Sequence, residues 1–233
     1  MRKKDDYKRV LGEFRHGKID ILIGTQMIAK GLHFPNVTLV GIIYADMALH
    51  QPDFRAGERT FQLLTQVAGR AGRGDIEGEV FVQAFTPFHP AIQYARRHDF
   101  VGFYEQEMEF RQQLNYPPVG RVALLTLKGR NEDKVKFSAE HLKRELESKV
   151  QSPKSKVTTR GATLDLGQGT LDLEISGPSP SPLLRAENLY RYQIMLRTRA
   201  MSRLSQALAK VTATLVLPDD VTLAVDIDPV NLS

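Results

Sequence analysis

Residues 36–46 read NVTLVGIIYAD. An apolar run this short, rich in Val and Ile and lacking polar alternation, predicts a strand buried on both faces of a parallel sheet. It ends in Asp46, at the carboxyl end of the strand, where open α/β sheets place functional groups. The carboxylate could equally cap the next segment. Outward from this strand the same rhythm repeats. Upstream, IDILIGT (19–25) reads as a second short buried strand, and residues 2–16 before it read as a helix with Tyr7, Val10, Leu11 and Phe14 on one stripe. Downstream, AGERTFQLLTQVAGRAGR (56–73) is helical and GEVFVQAFTP (78–87) is a third strand. Residues 90–114 are helical again, with Pro90 suited to a first turn and Asp99 to an N-cap. Helix alternating with buried strand predicts an α/β layer with a parallel sheet.

Tyr116-Pro117-Pro118 breaks the pattern, which gives domains of 1–115 and 116–233. The second half has its own order. Strand patterns at 121–129, 171–176, 189–198 and 221–230 are interleaved with helices at 132–150 and 200–216. That β-α-β-β-α-β sequence predicts a small α+β, ferredoxin-like sheet with both helices on one face. The polar, Gly-, Ser- and Thr-rich stretch 151–169 reads as a loop.

Composition narrows the chemistry. The 233 residues contain no Cys, so disulfides, thiolate zinc sites and cysteine nucleophiles are excluded. Six His are scattered without ligand spacing, and no metal site is expected. No apolar run reaches the length of a membrane span, so cytoplasm is the default and no membrane partner is expected. The net charge of +5 permits a polyanionic partner, and residues from 116 onward carry 17 Lys and Arg against 13 Asp and Glu.

GEFRHGKI (12–19) imitates a phosphate-binding loop in the wrong setting. A working loop follows a strand and opens a helix, with a hydroxyl residue after its lysine to ligate magnesium. Here the segment ends a helix, leads toward a strand and has Ile19 at the hydroxyl position. It reads as a helix C-terminus, with Gly17 as its cap and Lys18 complementing the dipole. Nothing else in the chain resembles a nucleotide-binding loop, so the chain alone is expected to be inactive as an ATPase.

QVAGRAGR (66–73) supplies the opposite half of such a site. Helical spacing of four and three puts Gln66, Arg70 and Arg73 on one face. Gly69 and Gly72 cost about 1 kcal/mol each relative to Ala, which suits close approach beside each arginine. Guanidinium groups meet two phosphate oxygens at once, and arginines from outside the phosphate loop stabilise charge on a transferring γ-phosphate.

Context sharpens this. GTQMIAKG (24–31), FPNVTLVG (34–41) and PDFRAGERTFQLLTQVAGRAGR (52–73) resemble motifs V and VI of superfamily-2 helicases, and are most similar to the PriA family of replication-restart helicases. LNYPPVGRVALL (114–125), ISGPSPSP (175–182), LYRYQIMLR (189–197) and the terminal VDIDPVNL (225–232) resemble that family's C-terminal domain, in order. His33 stands where Asp is frequent. The resemblance implies a RecA-like helicase lobe 2 over 1–115 and the family's C-terminal domain after it, within an ATP-dependent 3′→5′ DNA helicase of primosome assembly. It implies that Gln66, Arg70 and Arg73 face ATP, with Arg70 and Arg73 as fingers. Gly24, Thr25, Gln26 and Lys30 would hold a DNA phosphate, although Thr25 also suits a helix N-cap. ATP and Mg2+ would be bound mainly by a first lobe that this sequence lacks. The family's zinc has no ligands here.

Period two also places Arg191, Gln193 and Arg197 on one strand face, followed by Arg199 and Arg203. This is either a DNA-backbone surface or a solvated face. The family implies single-stranded and forked DNA, single-stranded-DNA-binding protein and primosome proteins as partners. Two other readings remain: a non-catalytic DNA- or partner-binding module, and lobe 2 of another DNA repair helicase. Glu58 and Arg59 are expected to be structural rather than to contact DNA.

Overall fold

The computed structural model describes residues 4–25, 34, 37–69, 71, 77–150 and 173–232. The chain divides into two compact units, 1–107 and 108–233, each taken here by itself.

The first unit opens with α1 (Lys4–Arg15). GEFRHGKI forms its C-terminus: Gly17 has φ +70, its N–H donates to Phe14 O, and Lys18 N–H donates to Glu13 O. These paired bonds in left-handed backbone are a Schellman cap, and they satisfy two carbonyls that the helix leaves open. Strands β1 (Leu39–Ile42) and β2 (Glu79–Val82) pair in parallel, Leu39 opposite Glu79. A short 3-10 turn (Met47–His50) and helix α2 (Ala56–Ala68) follow β1, and α3 (Pro90–Arg96) and α4 (Phe100–Gln113) follow β2, with α4 continuing into the second unit. Pro90 is in the first turn of α3, and Asp99 Oδ1 accepts from Gly102 N–H at the start of α4. Ala45, Phe61, Leu64, Ala91, Ile92, Ala95 and Phe103 form the core, with the Phe61 and Phe103 rings stacked at 4.4 Å.

Two expectations differ here. Residues 19–25 are not a strand; Ile21 and Ile23 are 77% and 87% exposed. A strand needs a partner for its N–H and C=O groups, and β1 and β2 pair with each other instead. Helix α2 ends at Ala68, with Gly69 as its C-cap, and Ala71 lies in a bend. Of the face expected to carry Gln66, Arg70 and Arg73, Gln66 lies on this helix, and the two arginines lie outside the described residues. Glycine's low propensity is where the helix stops.

The second unit is a four-stranded antiparallel sheet under two helices. Its elements are β3 (Arg121–Gly129), α5 (Glu132–Val150), β4 (Leu173–Ala186), β5 (Leu189–Thr198), α6 (Met201–Thr214) and β6 (Val221–Ile227). The spatial order β4-β5-β3-β6 is that of a ferredoxin-like split βαβ. Alternate residues Ala123, Leu125 and Leu127 of β3 and Tyr192, Ile194 and Leu196 of β5 face the core. There they meet Val135, Leu142 and Leu146 of α5 and Leu204, Leu208 and Val211 of α6. Strand β4 runs well past 176 because SGPSPSP stays in the edge strand, with irregular register between Ser176 and Ser179 and between Pro180 and Arg185. Gly177, at φ +99, is required there: a Cβ would come within 2.7 Å of Gln193 O.

Candidate functional site

The carboxyl ends of β1 and β2 are tied together by one buried carboxylate. Asp46 is fully buried, and its Oδ2 accepts from both the N–H and Oγ1 of Thr86, each at 2.7 Å. It precedes the 3-10 turn without capping it by its side chain. The bonds cross forty residues and join the two strand ends. Burial pushes the carboxyl up, but hydrogen bonds from Thr86, joined by those of the Asp46 and Phe85 backbone, together outweigh it and hold the group below its ordinary range. His50 Nε2 lies 4.0 Å from Oδ2. His89 accepts from Ala91 N–H through Nδ1 as the N-cap of α3; burial pushes its imidazole down, against the pull of Glu107 and Asp46.

Both groups make this end acid-sensitive. A depressed imidazole contributes stability that falls as pH drops from about 6.5 through the folded value. A depressed carboxyl contributes stability that is full above about pH 3.9 and lost as pH falls through the folded value. The melting temperature of the chain is expected to fall in two steps on acidification. His89→Asn, which keeps a capping acceptor, should flatten the upper step, and Asp46→Asn the lower. A wild-type profile that is level from pH 7 to 5 would contradict the His89 assignment.

The sequence-predicted residues are distributed as follows. Gly24 and Thr25 are exposed, and Gln66 is exposed on the last turn of α2. Gln26, Lys30, Arg70 and Arg73 lie outside the described residues. Arg59 has a structural role: its Nη2 pairs with Asp53 Oδ2 at 3.0 Å. Asp53 Oδ1 also accepts from Arg55 N–H, so this buried carboxylate sets the entry to α2.

On the helix-free face of the second sheet, Arg191 stands directly across from Lys128 in the β3–β5 register. Two cations abreast repel unless an anion lies with them. Arg191 Nε is buried and has no hydrogen-bond partner among the described residues. Lys128 was missed in the sequence because its neighbour is set by strand register. Arg197 is committed inside the fold. Its Nη2 pairs with Glu174 Oε2 at 2.8 Å, its Nη1 donates to Leu114 O, and its guanidinium lies 4.9 Å from the Tyr116 ring centroid. Arg199 Nη2 donates to Asn115 Oδ1, extending the same network.

Among the described residues, no three His, Cys, Asp or Glu are grouped to hold a metal ion, and no helix is long and apolar enough to cross a membrane.

An α/β unit followed by a ferredoxin-like sheet matches two known families in the same order. Residues 2–75 match the helicase conserved C-terminal domain, and residues 112–230 match the primosomal protein N C-terminal domain. The chain belongs to the PriA family of primosomal proteins. It is 43% identical over 209 residues to the replication restart protein PriA of Bacillus subtilis, covering 90% of this chain and 24% of that protein. It is 37% identical over 231 residues to PriA of Synechocystis sp. (99% of this chain, 25% of the relative) and 35% identical over 230 residues to PriA of Chlamydia muridarum (99% and 28%). The chain thus spans about a quarter of the length of these curated relatives.

Proposed function

We propose that this chain is the lobe-2 and C-terminal-domain portion of an ATP-dependent 3′→5′ DNA helicase that restarts replication by assembling a primosome. The observation that carries the reading is the succession of a helicase C-terminal match and a PriA C-terminal-domain match in one chain. In this reading lobe 2 spans 1–115 and the C-terminal domain 116–233. ATP and Mg2+ are held mainly by a first lobe, with Gln66, Arg70 and Arg73 facing the nucleotide. Arg70 and Arg73 stabilise charge on the γ-phosphate as it transfers. Gly24, Thr25, Gln26 and Lys30 hold a DNA phosphate, and the protein works in the cytoplasm with single-stranded-DNA-binding protein and primosome proteins.

In the C-terminal domain, Arg191 and Lys128 supply a phosphate site. Arg197 adds to the same positive field while its ion pair with Glu174 places the strand. Contacts of this kind position a strand without reading its bases.

The test is salt. The isolated chain is expected to bind single-stranded DNA weakly, with log K falling against log salt at a slope near −3 for about four phosphate contacts. Arg191→Glu should weaken binding and make the slope shallower by at least about 0.7. Affinity and slope that both survive the reversal would remove this sheet face from the DNA path and leave Thr25 and Lys30 to carry it.

A further inference from the structure

Two aromatic rings stand in the open where β1 and β2 end. Tyr44 is 43% exposed and Phe85 79% exposed. Their ring centroids are 5.4 Å apart and their planes cross at 87°. Together with Gln83 and Ala84 they line a cleft of about 50 Å³.

The mounting is rigid. Ala45 N–H donates to Gln83 O at 2.9 Å, Gln83 N–H donates to Ile42 O at 2.8 Å, and Asp46 holds Thr86 through two further bonds. Each ring is thus one residue from a fixed link between the strands. Tyr44 also has φ +55, a backbone conformation that is rare for a bulky side chain. Strain of this kind persists only where the surroundings impose it, and it clusters at binding sites. Here it accompanies a ring facing water.

The shape narrows the ligand. Two flat rings at a right angle give a wall and a floor, which suits a flat aromatic guest stacked on one ring with its edge against the other. Gln83 is exposed beside them and offers an amide to the polar edge of such a guest. The His50 ring lies 6.1 Å from that of Tyr44 and adds a third flat ring at this end. The nearby carboxylate, Asp46, is withdrawn from the surface, so it does not present its charge to a polyanion. A small open cleft is far short of the roughly 300–1,000 Å³ that encloses a whole small ligand. It suits one base of a strand that continues into solvent.

We propose that Tyr44, Gln83 and Phe85 form a base-stacking notch for single-stranded DNA, separate from the phosphate contacts described above. This rests on the reading of the chain as a DNA-acting protein. Stacking accepts any base, because every base has a π-face, and it adds affinity that salt does not screen.

The experiment uses the full chain and a fluorescein-labelled single-stranded oligonucleotide, titrated at several salt concentrations. A second oligonucleotide carries 2-aminopurine, which is quenched on stacking. Phe85→Ala is expected to weaken binding about 5- to 100-fold with the salt slope unchanged, and to remove the quenching. Phe85→Tyr should restore both, and Phe85→Leu neither, since it keeps apolar bulk without a π-face. Unaltered melting of these variants checks that the fold is intact, as expected for so exposed a ring. Full affinity and quenching in Phe85→Ala would overturn the notch while leaving the phosphate reading in place. No DNA binding by the wild-type chain would overturn both. A change in oligomeric state in place of DNA affinity, or displacement of the quenched oligonucleotide by equimolar ATP, would assign the rings to another guest and overturn the proposal.

Discussion

Arg70→Ala and Arg73→Ala, placed in a full-length helicase carrying this sequence, are each expected to lower kcat for DNA-stimulated ATP hydrolysis by about 10³-fold. The KM for ATP should change far less. A finger meets charge that develops on the γ-phosphate only as transfer proceeds, so its loss falls on the transition state and not on ground-state binding. Lysine should rescue poorly, since a point charge does not reproduce the planar fork that spans two phosphate oxygens. The motivation is the spacing of QVAGRAGR together with the match of residues 2–75 to the helicase C-terminal domain. Gly69 caps the C-terminus of α2. Unchanged turnover in both variants would make the pair structural and place the finger elsewhere.

Ile194→Ala and Leu142→Ala are each expected to destabilise the second unit by about 2–5 kcal/mol. Both side chains are fully buried in the cluster between the sheet and its two helices. Removing them forfeits the transfer free energy of the deleted carbons and leaves a cavity between elements that cannot close it without moving. That loss is comparable to much of the stability of an ordinary domain, so the variants should melt far earlier in urea or heat. Phe137→Ala, on the solvent side of the same helix as Leu142, should do little by comparison. A small shift for Ile194→Ala would mean that the sheet–helix interface does not hold this unit together.

The second unit was the more legible part of the sequence. Its strands alternate with period two and its helices carry one apolar stripe, so pattern and packing point the same way. The extension of β4 was not readable, because Pro, Gly and Ser signal a turn wherever they occur. Whether they sit in an edge strand depends on β5 lying alongside. In the first unit, IDILIGT has the composition of a buried strand, yet composition does not say which backbone will pair with it. Asp46 stood out as a carboxylate at a strand end, but its partner, Thr86, is set by the parallel register of β1 and β2. The same register brings Tyr44 to Phe85, and neither ring is conspicuous within IIYAD or QAFTP. Arg197 shares a face with Arg191 by alternation; its capture by Glu174 follows from the β4–β5 pairing. For Asp46, Tyr44 and Arg197 the local pattern indicated the element, and the chemistry depended on a neighbour far away in the chain.

The most direct measurement is ATP hydrolysis on single-stranded DNA by this chain alone, and then with a separately produced first helicase lobe of the same family. The chain alone is expected to release no phosphate above background, because GEFRHGKI is a helix cap and offers no cradle for a nucleotide. Adding the first lobe should restore DNA-dependent turnover, and Arg73→Ala in this chain should remove it again. Phosphate release by the chain alone that is abolished by Lys18→Ala would contradict the division of the site between two lobes.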